Sequence, residues 1–236
     1  MRILAYTEKG PQKVTNEDRA VCGDRVLEEG FTEAFGSLLA VADGVGGRKA
    51  GAVASEFVAR QLAALEEITP EALAGINRAL LAMSRGETAG MATTLAGMCL
   101  GENSATLFSV GNCRVYLLQG SYLKQLTVDD TLVQHLLATG QLTQAQARDF
   151  DRKNQITACF GGGDPAIFKL KCTQLPLPRG PVLITSDGIH DHLTIDEMEA
   201  ILVHHGPTRE ACQALTQAAR ANHSQDDATA VIAIDN

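Results

Sequence analysis

This 236-residue sequence predicts an α+β fold built from antiparallel β-sheets covered by helices, and two observations carry the prediction. Its apolar segments are short and numerous, and in the middle of the chain they are joined by turns too brief for anything but antiparallel neighbours. Its helical periodicity comes in pairs set apart from the strands, whereas a parallel doubly wound sheet would alternate the two.

In chain order, strands are expected at 2–7, 19–23 and 36–42. A helix follows over 50–65, where Val53, Phe57, Val58, Leu62 and Leu65 share one face, and a second over 70–83, with Pro70 suited to its first turn. Strands at 92–100, 104–110, 113–119 and 121–126 form a meander through the turns Gly101-Glu102-Asn103-Ser104, Gly111-Asn112-Cys113 and Gln119-Gly120-Ser121. Helices at 129–139 and 143–149 come next, Gly140 suiting the end of the first and Thr143 the N-cap of the second. Strands at 166–174 and 181–186, helices at 194–204 and 208–222 and a last strand at 228–234 complete the pattern. No linker-like or low-complexity stretch divides it, so a single domain over 1–236 is expected.

A formal net charge of -8 disfavours a broad nucleic-acid surface, which needs clustered Lys and Arg. The N-terminal Met1-Arg2-Ile3-Leu4-Ala5-Tyr6-Thr7-Glu8 meets charge before a signal-peptide apolar region forms, and no apolar run approaches ~20 residues. A cytoplasmic protein without membrane insertion is expected. Cys22, Cys99, Cys113, Cys159, Cys172 and Cys212 form no Cys-x-x-Cys pair and read as reduced core thiols.

Four acidic positions share an unusual context. Glu17-Asp18 precedes a strand, Asp226-Asp227 opens the last one, and two apolar runs, Leu38 to Ala42 and Val182 to Ser186, lead straight into Asp43-Gly44 and Asp187-Gly188. One Asp-Gly is an ordinary turn. Two of them behind apolar strands suggest carboxylates gathered at strand ends, a cluster that needs protons or cations to neutralise it. Oxygen ligands favour Mg²⁺ or Mn²⁺. Gly44 permits close approach of a backbone carbonyl, and Gly46 and Gly47 let the chain pass close to a substrate.

At these residues the sequence resembles the PP2C-like (PPM) family of metal-dependent protein serine/threonine phosphatases, bacterial type. Asn16-Glu17-Asp18 is similar to the family's opening acidic motif, Val41 to Gly47 to its Asp-Gly-x-Gly-Gly turn, and Ala92-Thr93-Thr94-Leu95 to its Gly-Thr-Thr strand. Val110 to Tyr116 resembles its Gly-Asp-Ser-Arg segment, Thr185-Ser186-Asp187-Gly188 its Ser-Asp-Gly, and Asp226-Asp227-Ala228-Thr229 its closing Asp-Asn-x-Thr. The resemblance implies a four-layer sandwich, two packed antiparallel sheets flanked by helices on both outer faces. It implies two ions, Mn²⁺ or Mg²⁺, with Asp43 on both, the Gly44 carbonyl on one and Asp187 with Asp226 on the other, while Asp18 and Glu17 hold metal-bound waters. A water so activated attacks phosphoserine or phosphothreonine in line. The implied partners are phosphorylated proteins and an opposing Ser/Thr kinase, and 127–165 resembles the family's flap.

Three positions depart from the pattern. Lys13 stands where many relatives carry an Arg that grips phosphate, and a lysine offers a point charge without the bidentate fork. Asn112 replaces the Asp of Gly-Asp-Ser-Arg, a neutral oxygen that disfavours a third ion. Val45 replaces a His seen in some relatives and carries no proton, while His190 reads as part of a solvated helix approach. Protein serine/threonine phosphatase activity is the first reading. A catalytically weak, phosphoprotein-binding regulatory pseudophosphatase is the second, motivated by Lys13 and Asn112.

Overall fold

The structure is a computed structural model that describes residues 1–45, 50–148, 150–152 and 155–234. Its first strand, β1 (Arg2–Glu8), sets the theme: Ile3 and Ala5 face one apolar cluster while Leu4 faces another. Side chains alternate across a strand, so a strand covered on both faces reads as a continuous apolar run. The same division marks β5 (Leu38–Val45), with Leu39 and Val41 on one side and Ala40 and Ala42 on the other, and β14 (Ala228–Ile234), with Val231 and Ala233 opposite Ala230 and Ile232.

Among the described residues the strands make two antiparallel sheets. The first has six: β4 (Gly30–Phe35), β1, β14, β13 (Val182–Thr185), β9 (Arg114–Gln119) and β10 (Tyr122–Gln125), in that spatial order. The second has eight. In it β5 lies between β2 (Asp18–Cys22) on one edge and β6 (Ala92–Thr93) with β7 (Leu95–Leu100) on the other. β3 (Arg25–Leu27) extends the β2 side, while β8 (Ser104–Val110), β11 (Phe160–Gly161) and β12 (Lys171–Pro176) complete the sheet.

Residues of both sheets, among them Ala5, Val41, Met98, Val115, Ile184 and Val231, form the central core. On the outer face of the second sheet, α1 (Ala50–Ala63) and α2 (Pro70–Met83) bury Ala54, Val58, Leu62, Leu73 and Leu80. On the outer face of the first, α6 (Ile195–His205) and α7 (Arg209–Ala221) bury Met198, Leu202, Leu215 and Ala219. The expected four-layer α+β sandwich is the observed architecture. Between β10 and β11 lie two short helices, α3 (Leu132–Ala138) and α4 (Gln144–Arg148).

Local expectations hold where capping chemistry was specific. Thr69 caps α2 ahead of Pro70, Thr143 Oγ1 accepts the Gln146 amide at α4, and Gly140 follows α3 with φ +71°. Others are corrected. The expected strand 92–100 breaks at Thr94, whose amide turns to donate to the Asp43 carbonyl at 2.8 Å. The edge strand β4 and the short β3 and β11 lack an apolar pattern, and 165–167 form a 3₁₀ turn rather than the start of β12. Asp43-Gly44 continues β5, and Asp187-Gly188 opens a short helix, α5 (Asp187–His190), so neither is an ordinary Asp-Gly turn. Gly46 and Gly47 lie outside the described residues. All six cysteines are free thiols, four of them buried. Among the described residues no helix is long and apolar enough to cross a membrane.

Candidate metal centre

The antiparallel register of β2 on β5 sets Asp18 directly opposite Asp43. The adjoining segment is fixed by its backbone: the Gly44 amide donates to the Glu17 carbonyl at 3.1 Å, and Ser55 Oγ, from α1, donates to the same carbonyl at 2.5 Å. A Cβ on Gly44 would lie 2.5 Å from the Gly51 carbonyl carbon, so glycine lets α1 cross this close to the strand end. Gly188 has the same logic, since a Cβ there would lie 1.8 Å from the Asp227 carbonyl oxygen. Each glycine after an aspartate is thus required by backbone packing behind the site.

A cavity of about 260 Å³ opens at this end of the sandwich, and its walls include Asp43, Asp187, Asp226, Glu17, Gly44 and Lys13. The segments that meet here are far apart in sequence. Val45, Thr94, Asn112 and Ile156 complete the lining. Asp18 is not part of the wall. It lies behind, 1% exposed, its Oδ2 accepting hydrogen bonds from Ser186 Oγ and Thr229 Oγ1, each at 2.6 Å.

Electrostatics follow from this crowding. Burial pushes the Asp18 and Asp187 carboxyls up to about 7; the charge of Asp227 adds to the effect at Asp18, and those of Asp191 and Asp226 at Asp187. Asp43 is also raised well above the carboxylate range, by burial and then by Asp187, Asp18 and Asp226. Asn112 works the other way, its Nδ2 donating to Asp187 Oδ2 at 2.9 Å.

Lys13 is not a solvated surface lysine. Burial disfavours its charge, but hydrogen bonds and charge from Asp226 and Asp227 outweigh that and hold the ammonium well above its usual pKa. Its Nζ pairs with Asp226, with Asp227 Oδ2 at 3.0 Å and with Glu17 Oε2 at 3.6 Å. Asp227 is the anchor of this loop, because its carboxylate also accepts the Gly10 amide at 2.8 Å and the Glu17 amide at 2.7 Å. The sequence names Asp227 beside Asp226 in the closing motif but assigns it no role of its own; the signal was a second acid in a segment otherwise turning apolar.

His190 is buried instead of solvated. Its Nδ1 bonds Thr185 Oγ1 at 2.8 Å, and burial followed by the nearby Arg114 charge lowers its pKa well below the histidine norm. It stays neutral and does not line the cavity.

The donor set suits hard divalent cations. Among the cavity-lining residues the charged groups are four carboxylates against one ammonium, with no imidazole or thiol. Among the described residues no three His, Cys, Asp or Glu side chains are already drawn together as a metal-holding cluster. The acids line one shared space.

Comparison with known proteins places this arrangement. No protein-family model matches the chain. The serine/threonine phosphatase stp of Listeria monocytogenes is 30% identical over 213 residues, which cover 83% of this chain and 83% of that protein. The chain belongs to the PP2C-type (PPM) family of bacterial serine/threonine phosphatases. Within that family, the phosphatase PstP of Mycobacterium tuberculosis is 30% identical over 99% of this chain, yet the match spans only 45% of PstP. A structure of the PstP catalytic domain in complex with 2 manganese ions superposes with a TM-score of 0.80 at 28% identity, covering 98% of each chain. The crystal structure of Stp1 from Staphylococcus aureus gives 0.83 at 28%, covering 99% of this chain and 95% of that one. The described residues of the six motif segments thus sit in a PPM fold.

Proposed function

We propose that residues 1–236 form one phosphatase domain that hydrolyses phosphoserine and phosphothreonine on proteins, opposing a Ser/Thr kinase. The observation that carries this is the single cavity in which Asp43, Asp187, Asp226 and Glu17 face one ammonium. Asp43, the Gly44 carbonyl, Asp187 and Asp226 would hold two divalent ions, Mn²⁺ or Mg²⁺. Glu17, on the wall, and Asp18, behind it, are the outer acids of the same group. When bound, such ions lower the pKa of water and neutralise developing phosphate charge.

The chain's own residues supply the rest. Lys13 offers its ammonium to the substrate phosphate, and Asp227 holds that lysine at the cavity edge. Asn112 fixes one oxygen of Asp187 through a neutral donor and makes a third ion unnecessary for orienting that carboxylate. Val45 gives the rim an apolar group with no proton to donate, and His190, buried and neutral, supplies none either. The described residues of 127–165, Ile156 among them, are the flap beside this cavity.

The test is Mn²⁺-dependent hydrolysis of p-nitrophenyl phosphate and of a phosphothreonine peptide. Asp43→Asn and Asp187→Asn should each abolish it; unchanged turnover in both would overturn the reading. The regulatory reading keeps one supporting observation, that the Lys13 ammonium is already shared among three carboxylates. Phosphopeptide binding at saturating Mn²⁺ without turnover would select it.

A further inference from the structure

A second cavity, of about 240 Å³, lies back to back with the first. Asn112 lines both. The rest of the partition is a backbone pairing: Thr131, on the second cavity, forms an antiparallel bridge with Ile156, on the first. At ~30 Å³ per water, the second space has the volume of about eight waters, room for a side chain rather than an ordered solvent molecule.

Its lining is mixed: seven polar residues, Gln134 and Gln144 among them, and one apolar wall. Val133 and Leu137 are one helical turn apart on α3, so they share a face, and α3 has no buried residue of its own. Ala147 of α4 adds to that wall. The charged floor is closed on itself: Arg114 Nη2 reaches Asp129 Oδ2 at 2.7 Å, and its Nε contacts both Asp129 oxygens at 3.0 and 3.1 Å. Asp129 thus offsets the Arg114 charge, which weakens its pull on an anionic ligand. Asp191 on the rim further disfavours an acidic one.

The partition also carries an unsatisfied acceptor. The Asn112 side chain is buried and turns its Nδ2 to Asp187, while its Oδ1, on the other branch of the amide, has no hydrogen-bond partner among the described residues. A buried acceptor without a donor is costly, and a peptide N–H is the donor an extended substrate brings.

We infer that this second cavity is a specificity subsite for an uncharged aliphatic side chain one or two residues from the phosphorylated residue of a protein substrate, with Val133 and Leu137 as its selecting wall. The inference rests on the phosphatase reading. Adjacent and next-adjacent residues of an extended peptide stand ~3.4 and ~7 Å away along the chain, a reach that suits neighbouring cavities sharing one wall.

The experiment measures kcat/KM, at fixed Mn²⁺, for phosphothreonine peptides carrying Leu, Ala or Asp at each position within two residues of the phosphothreonine. p-Nitrophenyl phosphate, too small to reach the second cavity, is the control. Leu should exceed Asp at one of these positions by roughly tenfold in the wild-type protein. That ratio should fall below about twofold in Leu137→Gln or Val133→Gln, with p-nitrophenyl phosphate turnover unchanged. Normal turnover of the small substrate combined with equal use of Leu and Asp peptides, or a Leu preference surviving in both variants, would overturn the subsite and leave the phosphatase reading standing. Failure to hydrolyse any of these substrates would overturn the phosphatase reading itself, and the subsite with it.

Discussion

Lys13 and Asp227 form an ion pair of 3.0 Å in which the anion is 1% exposed and the cation 28%. The anion is fixed by two backbone amides, so it is the lysine that has freedom to move. The pair therefore both ties the loop after β1 to the start of β14 and sets where the Lys13 ammonium stands on the cavity wall.

Lys13→Met should leave Asp227 without its counter-charge and cost on the order of 2 kcal/mol, below the range for fully buried pairs because Lys13 keeps some solvent. Urea denaturation checks the stability. In kinetics the same variant should raise KM for a phosphopeptide by roughly tenfold, one charge-assisted hydrogen bond's worth, and Lys13→Arg should raise turnover above wild type where phosphate grip limits it.

Asp43→Asn and Asp187→Asn each remove one negative charge from a wall where acids already raise one another's pKa. Both should weaken Mn²⁺ binding by at least about a hundredfold. In the absence of metal they should leave stability unchanged or raise it, because repulsion and a desolvated charge are lost. Isothermal titration with Mn²⁺ and thermal melts in chelator separate the two effects.

The raised pKa of Asp18 makes a pH prediction with a definite sign. Its carboxyl binds its proton more tightly folded, at about 7, than unfolded, at the ordinary carboxylate value near ~4. The folded state therefore holds more protons across that window, and stability falls as pH rises through it. His190, kept neutral by burial, works oppositely below its unfolded value of ~6.5. The clean measurement is a difference: metal-free wild type minus Asp18→Asn, melted from pH 4.5 to 8. Wild type should lose ground steadily against the variant as pH increases.

Gly188→Ala should be severely destabilising, by at least about 3 kcal/mol, because the added methyl meets the Asp227 backbone oxygen and neither α5 nor the start of β14 has space to yield. Poor soluble expression or a large drop in denaturation midpoint is the expected result. Gly75→Ala, whose Cβ meets nothing closer than the end of the Arg78 side chain at 3.7 Å, is the control.

The fold was legible where burial wrote a simple pattern. β5, β13 and β14 are covered on both faces and so appear as unbroken apolar runs. The edge strand β4, with Phe35 68% exposed, has no such pattern to show. The break at Thr94 is made by a hydrogen bond to Asp43, and nothing local in Ala92-Thr93-Thr94-Leu95 announces it. At the site, Asp43 and Asp187 were visible because strand, acid and glycine are adjacent in the chain. The anchoring role of Asp227 was not, because the groups it holds, the amides of Gly10 and Glu17, come from the far end of the sequence. The second cavity was equally hidden, since its walls belong to α3, α4 and the start of β9, which meet only in three dimensions.

β14 is inserted between β13 and β1, pairing with β1 along its length and with β13 from Ala230 to Ala233. Its neighbours in the sheet, β1 and β13, lie far apart in the sequence, and the acids just ahead of it, Asp226 and Asp227, are what Lys13 pairs with. A nascent chain therefore carries a fully translated Asp43 and Asp187 but no closed cavity until residues 226–234 have emerged and slotted into place. Among the strands of its sheet β14 is the last translated, so the cavity is a late product of folding.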